Sequence, residues 1–213
     1  MKKIVLLLLV FMCGCRSIGA TDVIVAQNHN PNQLVKLDAM ISKSNLENVY
    51  RTWKGDRHNY GIPGDYVKAA SMGHEKHIIA ETVSIFEQEV NNIVSQSGES
   101  KGELRLTVGP RSTRANIPLR IFTIVGLKIP CLFGVPSNVL TDELTVRVDV
   151  VNKAGKMVET YETTVRSSEA QAMYWGYSGR NTYRKIAIEN IKKAMEEIRE
   201  EINADAKKIN AKL

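Results

Sequence analysis

The chain has 213 residues, of which 43% are hydrophobic and 24% charged, and a formal charge of +6. That size and balance suit one folded domain with a real core, and exclude a disordered or collagen-like chain. Three cysteines exclude a disulfide-dense scaffold, while the basic excess suits an anionic surface or an acidic partner.

The first element is Met1-Lys2-Lys3 followed by the apolar run Ile4 to Cys15. Two lysines, an apolar stretch and a small residue before a cleavage point have the order of an export leader. The run is shorter than the ~20 residues needed to span a bilayer, which argues against a retained membrane helix. Its end, Met12-Cys13-Gly14-Cys15, resembles a bacterial lipoprotein signal. In that family the peptidase cuts before the cysteine, which carries the acyl chains (palmitate among them) of the mature protein. A competing reading is an ordinary secretory leader cut after Ala20, behind Gly19. The lipoprotein resemblance implies a signal peptide over residues 1–14, a lipid-anchored tether over 15–33 and a single domain over 34–213. Its first partner is then the lipid bilayer, held through acylated Cys15; each buried methylene contributes ~0.8 kcal/mol, so several chains anchor permanently. Arg16, where an aspartate would signal inner-membrane retention, points to the outer membrane and its periplasmic face. The alternative location is secreted or cell-surface. Export removes nucleic acid from the expected partners. Cys131 is left without a mate for a disulfide, and its setting Ile129-Pro130-Cys131-Leu132-Phe133 suits a buried, inert thiol.

Beyond the polar stretch ending at Gln33, Leu34, Leu37, Met40 and Ile41 fit either a short helix or a strand. Asn59 to Gly64 is a loop. His74 to Val94 is predicted as an amphipathic helix, because Ile79, Val83, Phe86, Val90 and Ile93 fall on one face. Glu103 to Val108 alternates with period two as a half-buried strand, and Gly109-Pro110 is expected to stop it. The apolar segment from Ile121 to Val139, broken by Gly126, Pro130, Gly134 and Pro136, is read as a core strand with a buried loop, or as a docking loop. Leu144, Val146, Val148 and Val150 mark a second strand. Lys153 to Lys156 turns, and Met157 to Val165 returns antiparallel. Asn181 to Asn210 is a long helix with Ile188, Ile191, Met195, Ile198 and Ile202 across the sheet, and a tail after Ile202 expected to project or fray. The fold class is α+β: a largely antiparallel sheet packed by two main helices.

Candidate contact residues follow from charge and aromatic clustering. Arg111, Arg114 and Arg120 lie in a basic stretch ahead of the apolar segment containing Phe133, an arrangement suited to a membrane surface or a partner. Tyr174 and Trp175, within Met173 to Tyr177, suit a plug at the end of the sheet or a stacking platform for glycan. His74 and His77 share a helical face, but no further ligand completes a metal site in sequence. His58 lies in an irregular segment. Nucleophile-elbow, phosphate-loop and dinucleotide patterns are missing. The expectation is a protein that is not an enzyme, with no cofactor and no metal.

The helix at 74–94, the strand Leu104–Val108, the hairpin Leu144–Val165 with its Asn152–Lys156 turn, and the closing helix with Ala187, Ile191, Ala194 and Ile198 resemble the TolB amino-terminal domain and the curli-secretion lipoproteins. The resemblance implies an accessory role and transfers no functional residue. The expected function is a non-enzymatic outer-membrane-anchored lipoprotein, an accessory or scaffold of an envelope assembly, secretion or transport complex with an envelope protein as partner. The alternative is a surface-displayed glycan- or protein-binding lipoprotein.

Overall fold

Strand alternation and helical periodicity build one sheet covered by helices on one face. A computed structural model describes residues 33–51, 75–115, 136, 138–171 and 179–213. In chain order these are β1 (Asp38–Ile41), α1 (Lys43–Arg51), α2 (Glu75–Ile93), β2 (Gly102–Ala115), β3 (Asn138–Asn152), β4 (Met157–Gln171) and α3 (Gly179–Asn210). The sheet has four strands in the order β1-β2-β3-β4. β1 runs parallel to β2, and the other neighbours are antiparallel. The α+β architecture is therefore as expected, with a mixed rather than purely antiparallel edge.

The even-numbered side chains of β3 face the helices: Leu144, Val146, Val148 and Val150 are buried. They meet Leu104, Leu106 and Val108 of β2, Ile85 and Phe86 of α2, and Ile188, Ile191 and Ile198 of α3. Each such side chain contributes roughly 1.5–3 kcal/mol by leaving water. α3 lies under β3 and β4, α2 packs beside α3, and α1 sits on β2 and α2.

Local chemistry sets the element ends. Ser42 caps α1, its hydroxyl accepting from Asn45 N at 3.3 Å. Asn45 then acts like a strand residue: its amide donates to Val108 O at 3.0 Å and accepts from Val108 N at 2.9 Å. In the β3–β4 turn Gly155 has φ 75°, a left-handed conformation that disfavours other residues. Asn152 Oδ1 accepts from Ala154 N and Lys156 N, both at 3.0 Å, and completes the turn.

Two expectations are corrected. Gly109-Pro110 does not stop β2. It forms a β-bulge, with the register shifting between Val108 and Arg111, so the strand continues to Ala115. Proline is tolerated there because a bulge interrupts the ladder, and glycine because its missing Cβ would sit 3.0 Å from Thr145 Cβ. Nor does the tail after Ile202 fray: Ala206 and Ile209 are buried. Asn210 donates to Gln33 O at 3.2 Å and accepts from Val35 N at 2.9 Å. Leu34 N donates to Ile93 O at 2.9 Å and Ser95 N to Leu34 O at 2.8 Å, so the end of α2 also holds the start of the domain. The segment from Leu34 to Ile41 resolves into this single bridge followed by β1, not a helix.

Candidate functional site

The bulge in β2 has a chemical consequence. Before it, even-numbered residues face the helices; after it, odd-numbered ones do. Arg111 and Thr113 therefore turn inward, beside Asp142 of β3, which occupies the helix-facing phase between Leu140 and Leu144. Asp142 is fully buried and the Arg111 side chain is only 4% exposed. Arg111 Nε donates to the two Asp142 carboxylate oxygens at 2.8 and 3.0 Å. The Thr113 hydroxyl donates to the same carboxylate. From α3, the Asn190 amide donates to Asp142 Oδ2 at 2.8 Å and to Asp142 O at 3.2 Å. The Tyr50 ring of α1 lies under the Arg111 guanidinium, 5.7 Å from centroid to Cζ. Its hydroxyl meets the Thr82 hydroxyl of α2 at 3.3 Å. Burial pushes the Tyr50 hydroxyl above its ordinary pKa of 10.0, with Arg111 partly offsetting.

The carboxylate joins β2, β3 and α3, and Tyr50 beneath Arg111 adds α1 and, through Thr82, α2. A buried ion pair returns its desolvation cost only when hydrogen bonds satisfy its remaining groups; Thr113 and Asn190 supply them to the carboxylate, while Asn190 Oδ1 is itself buried without a hydrogen bond among the described residues. The carboxylate is saturated by donors and has no solvent exposure among the described residues, so its chemistry is positional: it fixes the register of the sheet end against α3.

Two more ion pairs tie α2 to α3. Arg199 Nη1 lies 3.2 Å from both Glu89 oxygens, and Arg184 Nε lies 3.0 Å from both Glu81 oxygens. Burial raises the Glu89 carboxyl above its ordinary pKa, opposed by the Arg199 charge. The Tyr161 hydroxyl donates to Asp205 at 3.1 Å, and burial followed by that bond raises its pKa.

Two surface features remain. An open trough of about 300 Å³ separates β1 from α2, lined by Lys36, Asp38, Glu87, Asn91, Ser95 and Gln96 among others. The face of the sheet away from the helices is polar and hydrogen-bonded across strands, with Thr145 and Thr164 hydroxyls 2.8 Å apart and Thr141 and Ser168 hydroxyls 2.8 Å apart.

Of the sequence-derived contact residues, the two that are described, Arg111 and Arg114, lie on opposite faces of the sheet. Arg111 is inside, against Asp142, and does not offer its charge to a bilayer or partner. The reason is the bulge, which turns it onto the helix side. Arg114 lies on the opposite, exposed face, near Thr141, Glu143 and Arg166. His77 is exposed on α2. Cys15, Arg120, Phe133, Tyr174 and Trp175 lie outside the described residues, as do His58, His74, Cys131 and most of the apolar segment 121–139. Among the described residues no group of His, Cys, Asp or Glu has the arrangement of a metal site, and no helix is long and apolar enough to cross a membrane. Asp142 and Asn190 went unread in the sequence. The available signal was an aspartate in the apolar phase of a strand, which demands a buried partner.

No family model and no curated protein matches the chain. Among solved structures, the chain is similar to the crystal structure of a candidate lipoprotein from Caulobacter crescentus CB15. The identity is 12%, the alignment covers 83% of this chain and 92% of that one, and the TM-score is 0.32. A likeness at that score carries no argument about function.

Proposed function

We propose that the protein is a non-enzymatic lipoprotein, anchored through acylated Cys15 to the periplasmic face of the outer membrane, where it serves as an accessory or scaffold of an envelope complex. The observation that carries this reading is the leader Met1 to Cys15, with its lysines, apolar run and Gly14-Cys15 end. The position of the first core residue supports it. Leu34, nineteen residues after Cys15, is 1% exposed and held by the end of α2. The intervening chain reaches at most about 68 Å when extended, enough to hold the domain clear of the headgroups. Its polar residues, with Asn28, Asn30, Pro31 and Asn32, suit a solvated tether. The resemblance of the hairpin and closing-helix sequence to the TolB amino-terminal and curli-secretion group supports the accessory role.

The test is metabolic labelling with a palmitate analogue in a bacterial host. The wild-type chain takes label, and Cys15→Ala loses it and leaves the membrane fraction. Label that survives Cys15→Ala sinks the reading.

A further inference from the structure

β4 is a fifteen-residue strand at the edge of the sheet, and among the described residues no strand pairs with its outer side. A long open edge presents a row of unpaired backbone donors and acceptors and is a template for another strand. The side chains of this edge have an unusual order. On the exposed face they run Thr160, Glu162, Thr164, Arg166, Ser168, Ala170. Reflected about Thr164, the sequence pairs Thr160 with Ser168 and Glu162 with Arg166. Glu162 and Arg166 are exposed and form no salt bridge among the described residues. Their neighbours on β3 continue the pattern, with Glu162 opposite Arg147, Thr164 opposite Thr145, and Arg166 opposite Glu143.

We propose that β4 pairs antiparallel with β4 of a second copy about a two-fold axis at Thr164, joining the two sheets edge to edge. Each cross-strand row is then complementary. One reads Arg147, Glu162, then Arg166 and Glu143 of the second copy; the central row is threonine throughout. The symmetry repeats the first row in reverse. Charge also favours this register, since an axis at residue 163 or 165 leaves Glu162 and Arg166 opposite uncharged residues. Moving the axis to residue 166 sets Arg166 against Arg166, and moving it to residue 162 sets Glu162 against Glu162. Both put like charges opposite one another, which disfavours pairing. On the helix side Glu159 meets Glu169 of the other copy. Each is already neutralised, Glu159 by Lys208 at 2.9 Å and Lys212 at 3.2 Å, and Glu169 by Lys185 at 2.5 Å. The interface is isologous and closed, so it ends at the dimer rather than growing into a fibre. It stands independently of the lipoprotein reading.

Cross-linking of the full-length chain, purified in mild detergent from whichever cell fraction holds it, tests the pairing with wild type as background. Thr164→Cys is expected to cross-link to itself under mild oxidation. Thr160→Cys alone is not, since its own copies lie about 27 Å apart across the axis. Thr160→Cys mixed with Ser168→Cys is expected to give the mixed product. Two copies sharing a micelle do not reproduce this register dependence. Arg166→Glu or Glu162→Arg, each combined with Thr164→Cys, is expected to weaken self-association by about tenfold or more. Mixing these two variants restores cross-linking, because each pair of charges opposed across the interface becomes complementary again. Thr164→Cys that cross-links no better than wild type overturns the proposal. So does equal self-cross-linking of Thr160→Cys and Thr164→Cys, or a charge-reversed mixture no better than either variant alone.

Discussion

Replacing Asp142 by alanine removes the carboxylate on which the polar end of the core converges. Arg111, with a side chain 4% exposed, then keeps a buried charge without its carboxylate. Removing one partner of a buried pair costs about 3–5 kcal/mol. Thr113 and Asn190, 1% and 0% exposed, lose an acceptor in the same step, each worth about 1–3 kcal/mol when left unmet. These losses share one group and do not add, so the expected cost is about 4 kcal/mol, a large part of a typical total of 5–15 kcal/mol. For a domain of this size that lowers Tm by about 8–16 °C. Urea unfolding followed by far-ultraviolet circular dichroism measures it. The companion is the double-mutant cycle of Arg111→Met and Asp142→Leu. The double variant is expected to be less destabilised than the sum of the singles, with a coupling of about 1–3 kcal/mol, because no lone charge remains. A loss below about 1 kcal/mol for Asp142→Ala, or strict additivity in the cycle, refutes the reasoning.

Glu89 gives a pH prediction. Its folded pKa is raised above 4.5 by burial, so the native state holds its proton longer than the unfolded chain. Its contribution is present in full below the ordinary carboxylate range and is lost as pH rises through the raised value. Between those limits wild-type stability should fall with pH more steeply than that of Glu89→Gln; a difference that is flat or rises with pH contradicts the assignment. Gly109→Val places a Cβ 3.0 Å from Thr145 Cβ and 3.2 Å from Thr145 O, and thermal unfolding should show a loss of about 1–2 kcal/mol; an unchanged Tm shows that the bulge yields more easily than its geometry implies. Asn210→Ala removes the bonds to Gln33 O and Val35 N, and hydrogen exchange should accelerate at the Leu34 and Ser95 amides while the centre of β3 is unaffected. Uniform acceleration would instead mean that Asn210 supports the whole fold.

Periodicity made the main elements legible. The three-four spacing of Ile79 to Ile93 and of Ile188 to Ile202 placed α2 and α3 close to their observed bounds, and the alternation of Leu144 to Val150 marked part of β3, which starts six residues earlier at Asn138. Gly109-Pro110 misled because the same dipeptide serves a turn and a bulge, and only the partner strand decides between them. Ala206 and Ile209 extend the spacing of Ile202, but lysines between and beside them masked a narrow apolar stripe. β1 was beyond local reading, since its parallel pairing with β2 joins residues more than sixty positions apart. The Arg111–Asp142 cluster shared that fate: Arg111 looked like part of a basic surface run until the bulge reversed its side. Charge in a strand reports which face it occupies only when the register is known.

The account rests on Cys15 more than on any other residue, and its most direct test is the mass of the mature amino terminus. The protein is extracted from membranes, digested, and its first peptide measured by mass spectrometry. The predicted peptide starts at Cys15 and carries a diacylglyceryl group with an additional acyl chain on the amine. A first peptide that starts at Thr21 without lipid, or one that retains Met1, contradicts the account.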